Sequence, residues 1–236
     1  MLQKNIWIVT LFPEFFQSWI SSGVISKANL QFNLQFIQLR DFSLNKYKSV
    51  DDSPYGGGQG MVIRSDVLKR VFEEKILPAE NGLKPIVIYP NPRGKKWDNM
   101  EAKLLATNLS QDILQKSYVF ICGRYEGIDQ RFIEKYVDIE YSLGDFVLAG
   151  GELAVMAILE SSFRFIEGVL GNPMSPKEDS FEDNLLDAPQ YTRPYSFEGL
   201  EVPEILLSGH HQKIEAYKKT KRIEETIKYR PDLLKE

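Results

Sequence analysis

The sequence predicts an α/β domain built on a largely parallel sheet, followed by a small, mostly helical C-terminal domain. Three observations predict this. Short apolar runs of strand length alternate with helix-period segments over the first two-thirds of the chain. Near Gly168 the character changes to Gly, Pro, Ser and Asp with little periodicity. From His210 onward the pattern is helical and the charge mixed. The first domain is therefore expected over 1–168, a linker over 169–178, and the second domain over 179–236.

The elements follow in order. Ile6 to Phe12 is apolar and partly β-branched, as a buried strand is. Pro13 opens a helix with Phe15, Phe16, Trp19 and Ile20 at helical spacing. Leu30, Phe32, Leu34 and Phe36 alternate, predicting a half-buried strand. After a polar, Gly-rich loop, Asp66 to Leu77 reads as a helix with Val67, Leu68, Val71 and Phe72 on one face. Pro85 to Tyr89 is a short strand, and Asp98 with Glu101 resembles a capping box before a helix through Leu105. Tyr118 to Cys122 is another strand, Gln130 to Tyr136 a helix, and Val137 to Tyr141 a strand. SLGDFVLAGGE then leads into a helix reaching about Arg164.

Composition narrows the function classes. The chain has 236 residues, of which 43% are hydrophobic, which is ordinary for a globular protein. No apolar run approaches the roughly 20 residues of a membrane span. The start, MLQKNIWIVTLFPEFF, does not read as a signal peptide, because acidic and aromatic residues follow its one Lys and no small-residue cleavage site appears. The single cysteine, Cys122, permits no intramolecular disulfide and fits a reducing cytoplasm. The two histidines, His210 and His211, are sequence neighbours outside any HExxH pattern, which argues against a zinc centre. A net charge of −4 argues against simple coating of nucleic acid. A local basic stretch exists nonetheless, in Lys213, Lys218, Lys219, Lys221 and Arg222. It reads either as a phosphate-facing helix or as a solvated face with intrahelical pairs such as Arg222 with Glu225.

Four segments could carry chemistry: DDSPYGGGQGM (51–61), CGRYEGID (122–129), SLGDFVLAGGE (142–152) and SPKEDSF (175–181). The first lacks the Lys-Ser/Thr of a P-loop, so an NTPase reading fails, and the alternative is a mobile surface loop. The second follows a strand directly, where ligands gather in parallel sheets and where glycines let a ligand approach the backbone. A tight strand-to-helix turn would account for it equally. The third brings Gly144, Gly150 and Gly151 to the next connection. Backbone walls there suit an adenine ring, with Leu143, Phe146 and Leu148 giving apolar contact; these three could instead be ordinary core. In the fourth, Asp179 stands in a polar loop whose bland reading is a solvated aspartate. Arg164, near a helix end, would ordinarily meet the last carbonyls.

Together these segments resemble the bacterial tRNA (guanine-N1)-methyltransferase family (TrmD) of the SPOUT superfamily. The likeness runs through nearly the whole chain in order: LFPEFF, RDF, VDDSPYGGGQGM, PNPRGKK, CGRYEGIDQR, SLGDFVLAGGELA, SSFRFIEGVLGN, EDSF, LLDAPQYTRP and GLEVPEILLSGHH. The resemblance implies a SPOUT methyltransferase domain whose parallel sheet is closed by a deep trefoil knot. It implies a homodimer with active sites at the subunit interface, S-adenosylmethionine as methyl donor, and the guanosine at position 37 of tRNA as acceptor. Mg²⁺ is left open. The cofactor site implied comprises Tyr89, Pro92, Gly123, Tyr125, Gly127, Ser142, Leu143, Gly144, Asp145, Phe146, Val147, Leu148, Gly150 and Gly151. Asp179 is implied as general base, Arg164 as the residue that holds or polarises guanine, and Glu126 as a helper in the pocket. The chain departs from the family pattern at Phe146, where Tyr is frequent, at Ala154, where Pro is frequent, and at Gln190, where His is common. The loop over 171–177 is expected to be mobile until tRNA binds, from its Gly, Pro and Ser content. Competing readings are a non-catalytic RNA-binding protein and a SPOUT methyltransferase acting on ribose or ribosomal RNA.

Overall fold

Five parallel strands form the central sheet, in the order β2-β1-β6-β5-β7. They are β1 (Lys4–Thr10), β2 (Phe32–Gln38), β5 (Ile86–Lys96), β6 (Tyr118–Ile121) and β7 (Ile139–Ser142). A computed structural model gives this architecture and describes residues 3–110, 116–170 and 179–234. The chain divides into two compact units, Met1–Gly171 and Asn172–Glu236. The expected mobile loop over 171–177 lies outside the described residues.

The inner strands are apolar and buried over Ile6 to Val9 and Tyr118 to Ile121 because both faces of the sheet are covered there, as in other parallel sheets. Side chains alternate between two cores. Ile6, Ile8, Ile88 and Phe120 face one, with Leu105, Val155, Ile158 and Phe163 from helices α5 (Asn99–Ser110) and α7 (Glu152–Phe163). Trp7, Val9, Val87 and Val119 face the other, with Val67, Leu68, Phe72 and Phe132 from α3 (Ser65–Val71), its continuation and α6 (Gln130–Tyr136). Register places Ile8 beside Phe36 on one side and Phe120 on the other.

Several elements depart from the sequence expectation for local reasons. The helix expected after Pro13 begins as a 3-10 turn, Pro13–Phe16, then becomes α1 (Gln17–Ile20) and, after a break, α2 (Gly23–Ala28). The strand expected from Leu30 begins at Phe32, with Leu30 exposed. The helix expected over Asp66 to Leu77 contains a π segment, Phe72–Ile76, before α4 (Leu77–Ala79). Leu77 N–H donates to the carbonyl of Phe72, one residue further back than in an α-helix. Pro78 has no N–H for the next rung, and the wide turn keeps Phe72 and Ile76 buried together. Strand β5 runs beyond Tyr89 to Lys96, with a register shift between Pro90 and Lys95 against Tyr141. Pro90 and Pro92 cannot donate to a ladder, so the strand bulges there and rejoins. Only half of the capping box forms: Asp98 Oδ1 accepts from the Glu101 N–H at 3.0 Å. The Glu101 carboxylate turns instead to Lys95 and to the Tyr141 hydroxyl, 3.0 Å away.

The second unit contains a hairpin of β8 (Ser196–Phe197) and β9 (Leu200–Glu201), then α8 (Glu204–Leu207) and α9 (His211–Tyr229). Glu198 and Gly199, both at positive φ, make the hairpin turn. Arg222 does not pair with Glu225. Its guanidinium clasps Asp183, with Nη1 at 3.0 Å, and donates to the Leu186 carbonyl. Lys218 and Lys221 pair along the helix with Glu215 and Glu224. Among the described residues no helix is long and apolar enough to cross a membrane.

Candidate active site

Strands β6, β5 and β7 are neighbours in the sheet, and the connections leaving their C-terminal ends line one cavity of about 500 Å³. That volume is in the range of small-molecule sites, and the location is where parallel sheets place them. Tyr89 and Pro92 come from the β5 bulge, and Gly123, Tyr125, Glu126 and Gly127 from the turn after β6. Ser142, Leu143 and Gly144, then Phe146 to Gly151, come from the long connection after β7. Of the residues expected at the cofactor site, only Asp145 is absent from the lining.

The turn after β6 is tight. Tyr125 has φ of 59° and Gly127 of 108°, and Gly127 N–H donates to the Arg124 carbonyl at 2.9 Å. A non-glycine residue in the left-handed region, as Tyr125 is, marks a backbone held by its surroundings. Those surroundings include the antiparallel pair β3 (Asp51–Asp52) and β4 (Val62–Ile63). Glu126 N–H donates to the Met61 carbonyl at 3.0 Å, and Ile63 N–H to the Gly127 carbonyl at 3.0 Å. The Gly-rich loop between β3 and β4 is thus anchored at its end to the cavity turn. A Cβ on Gly60 would fall 2.5 Å from Glu126 Oε1, whereas Gly56, Gly57 and Gly58 face open space.

Tyr89 is buried with its hydroxyl under the same turn, where a Cβ on Gly123 would come within 2.8 Å of it. Burial holds its phenol above the ordinary value, partly offset by a hydrogen bond with the Ile128 backbone. In the connection after β7, Gly144 is at positive φ, and Phe146 N–H donates to its carbonyl at 3.0 Å. Phe146 is 56% exposed and Val147 89% exposed, leaving an apolar rim beside the cavity. Core packing accounts for Leu143, which lies against the first core, but not for Phe146.

The last two connections are stitched together behind the cavity. Gly151 N–H donates to the Gly123 carbonyl at 2.8 Å, and Arg124 bridges to Gly150. A Cβ on Gly151 would meet Cys122 Cα at 2.9 Å, so glycine is required by close backbone approach. Burial, then the nearby Glu152 charge, pushes the Cys122 thiol well above its ordinary value. Sequence reasoning missed the groups that tie this region down. Arg124 and Glu152 stand inside the quoted segments, but nothing in their spacing shows that Glu152 is 1% exposed and paired with Arg124. Arg93 was missed too; its Nη2 donates to Gln130 Oε1 at 2.7 Å and its Nε lies 3.3 Å from Glu140.

Of the three residues expected to serve catalysis, Glu126 lines the cavity and is exposed there. Arg164 caps the C-terminal end of α7, exposed, while the N-terminal end of that helix begins at the cavity. A 12-residue helix separates its ends by about 18 Å, so Arg164 stands apart from the cavity of its own chain. Asp179 belongs to the second unit and is half-buried, next to a turn in which Ser180 Oγ accepts from the Asp187 N–H at 2.9 Å.

Comparison with known proteins places this geometry. The family model described as tRNA (Guanine-1)-methyltransferase TrmD matches residues 4–236. The chain is 48% identical over 235 residues to the tRNA (guanine-N(1)-)-methyltransferase of Buchnera aphidicola subsp. Schizaphis graminum, covering 98% of this chain and 86% of that one. It is 43% identical over 229 residues to the protein of the same name from Geobacter metallireducens, covering 96% and 89%. For the Actinobacillus pleuropneumoniae protein, also of that name, identity is 43% over 233 residues, covering 97% and 90%. A glycine-walled cavity at three parallel strand ends, in a chain matched from its fourth residue to its last, makes this protein a member of the tRNA (guanine-N1)-methyltransferase family.

Proposed function

We propose that this chain methylates N1 of the guanosine at position 37 of tRNA, beside the anticodon, using S-adenosylmethionine. The cavity carries the reading, in a chain matched by the family model over 4–236. Its residues fit the methyl donor. Gly123, Gly127, Gly150 and Gly151 bring backbone close enough to read a purine edge, and Leu143, Phe146 and Leu148 offer apolar contact to its faces. When bound, S-adenosylmethionine supplies an electrophilic methyl on a sulfonium sulfur.

The acceptor sets the rest of the chemistry. Guanine N1 carries a proton, so its lone pair becomes available only as that proton leaves. Asp179 accepts the proton, an ordinary carboxylate being ionised at neutral pH. Negative charge then develops on O6, which Arg164 stabilises as a preorganised donor. Adenine presents the reverse pattern, an acceptor at N1 and a donor at its exocyclic nitrogen, and meets two mismatches. An anticodon-loop base can be splayed out and read on its Watson–Crick edge at modest cost.

Because α7 carries Arg164 away from its own cavity, each site in this reading is completed by a second copy of the chain. The trefoil knot belongs to the same reading. Family membership over residues 4–236 is what supports it. The second unit is assigned to tRNA binding, with Lys213 and Lys219 on α9 available to phosphate, and the compartment is the cytoplasm.

The test is methyl transfer from labelled S-adenosylmethionine to tRNA transcripts carrying G, A or C at position 37. Incorporation is expected with G only. It is expected to be nearly lost in Asp179→Ala and in Arg164→Ala with far-ultraviolet circular dichroism unchanged. Parallel reactions with EDTA determine whether Mg²⁺ contributes. Strong incorporation by Asp179→Ala removes the proposed base, and incorporation into the A transcript removes the proposed specificity.

A further inference from the structure

Behind the cavity, one side chain touches the segment just past β1, the connection after β7 and the start of α7. The Arg124 guanidinium lies over the Phe12 ring, 4.5 Å from its centroid, just past the end of β1. Its Nη1 donates to the Ala149 carbonyl at 3.2 Å. Its Nη2 is 3.0 Å from Glu152 Oε2, at the first residue of α7. Glu152 Oε1 in turn accepts from the Thr10 hydroxyl at 2.8 Å, and Thr10 Oγ1 accepts from the Phe12 N–H at 3.0 Å. Gly150 makes room for this: a Cβ there would fall 2.2 Å from Arg124 Nε and 2.5 Å from its Cζ. Arg124 Nε and Glu152 Oε2 are both buried and neither makes a hydrogen bond among the described residues, so the Nη2–Oε2 contact is an ion pair.

Such an arrangement is costly. A carboxylate that is 1% exposed needs compensation, and a buried N–H without an acceptor adds a penalty. Stability alone would be served as well by apolar residues of similar size. The guanidinium does something they would not. It is a rigid planar fork whose face and edges hold several partners in fixed directions. Those partners are Phe12, the Ala149 carbonyl and Glu152. Ala149 and Gly150 line the cavity, and the backbone of Arg124, bridged to Gly150, lines it beside them.

We infer that Arg124, seated on Glu152 and Phe12, is a positioning residue that sets the spacing between the two glycine segments of the methyl-donor site. The inference rests on the cofactor reading given above. The Gly151 N–H bond to the Gly123 carbonyl ties the two segments at one end, and loss of the fork lets the Ala149–Gly150 end shift against the Gly123–Gly127 turn, which weakens binding of the methyl donor. The phosphate-facing groups of that reading, Lys213 and Lys219, belong to α9 and to neither glycine segment, so the KM for tRNA is expected to hold.

Arg124→Lys is the first test. It keeps the charge that Glu152 requires but replaces the fork with a single point. Binding of the unreactive product S-adenosylhomocysteine is measured by calorimetry for wild type and variant, alongside the separate KM values for S-adenosylmethionine and tRNA. The expected result is at least a roughly tenfold loss of S-adenosylhomocysteine affinity, the scale of one charge-assisted hydrogen bond. A matching rise in KM for S-adenosylmethionine is expected, with the KM for tRNA unchanged. The second test removes both charges, in Arg124→Met/Glu152→Leu. The double variant is expected to unfold near the wild-type temperature and still to bind S-adenosylhomocysteine weakly. Recovery of affinity together with stability would show a purely structural pair and overturn the inference. Equal affinity of wild type and Arg124→Lys would overturn it as well. Absence of S-adenosylhomocysteine binding by wild type is a different failure: it removes the cofactor reading itself, and this inference with it.

Discussion

Arg124 and Glu152 form a charged pair behind the cavity, with Nη2 and Oε2 3.0 Å apart and the Glu152 side chain 1% exposed. Their stability effects should be strongly non-additive. Arg124→Met leaves the carboxylate buried without its counter-charge, with the Thr10 hydroxyl as its hydrogen-bond donor. The expected cost is about 2–4 kcal/mol, at the lower end for a broken buried pair because the Arg124 side chain is 21% exposed. Chemical denaturation of both single variants and the double variant checks this. A sum of single effects equal to the double effect would mean that the two charges are not coupled.

Glycines at backbone crossings should tolerate substitution far less than glycines in the open loop. A Cβ on Gly94 meets Glu140 C and Tyr141 N at 2.5 Å, and backbone there cannot move without breaking the β5–β7 pairing. Gly57 is at positive φ but faces open space. Gly57→Ala should cost about 1 kcal/mol from backbone strain. Gly94→Ala should cost about 3 kcal/mol or more from overpacking. Thermal unfolding ranks the two, and equal melting temperatures would contradict the crossing.

Asp129 caps α6, accepting from the Arg131 N–H at 2.9 Å. The side-chain hydrogen bond from Arg131, with smaller help from Ser65, holds its carboxyl below the usual range. A depressed carboxylate stabilises the fold above its unfolded pKa of about 4, and that contribution is lost as pH falls through the lower folded value. Asp129→Ala should therefore cost about 1 kcal/mol at neutral pH. The gap between variant and wild type should narrow as pH falls below about 4, as urea midpoints measured on either side of that pH would show.

Cys122 should be inert while the protein is folded. Burial and the Glu152 charge raise its pKa, so at pH 8 it remains a thiol, and the thiolate is the reactive form. Iodoacetamide should label it at least about a hundredfold more slowly in native buffer than in urea, because labelling requires opening. The linkage has a definite sign. Above the ordinary thiol pKa of about 8.5 the unfolded chain loses this proton and the folded chain keeps it, so this group lowers stability as pH rises further.

If Arg164 completes the cavity of a second copy, two inactive variants should complement each other. Arg164→Ala keeps an intact cavity, and Gly151→Val, which crowds Cys122, keeps Arg164. Equal amounts, unfolded together and refolded, should regain about a quarter of wild-type methyl transfer, because half of randomly mixed dimers carry one complete site. No recovery in a mixture shown to contain heterodimers would place Arg164 in its own chain's site.

Much of the fold was legible before the structure, because its causes are local. Apolar runs of strand length, helical periodicity and glycines at strand ends are written residue by residue. They located all five strands of the sheet, helix α6 within its observed bounds, and two of the three connections that line the cavity; Tyr89 and Pro92 of the third came from the family resemblance. What was misread depended on partners distant in sequence. Glu101 left its capping role for Lys95 and Tyr141, Arg222 chose Asp183 over Glu225, and Pro78 brought a π turn into a helix that looked regular.

The sequence by itself determined the α/β alternation, the family and the glycine-bearing connections, since periodicity, turn chemistry and ordered motifs need no tertiary information. Only the tertiary structure decided which charges are buried, that Arg124 is clasped between Phe12, Ala149 and Glu152, and that Arg164 stands at the far end of α7. The reason is physical. Burial and the distance between residues remote in sequence are set by how the layers pack, and no local pattern encodes them.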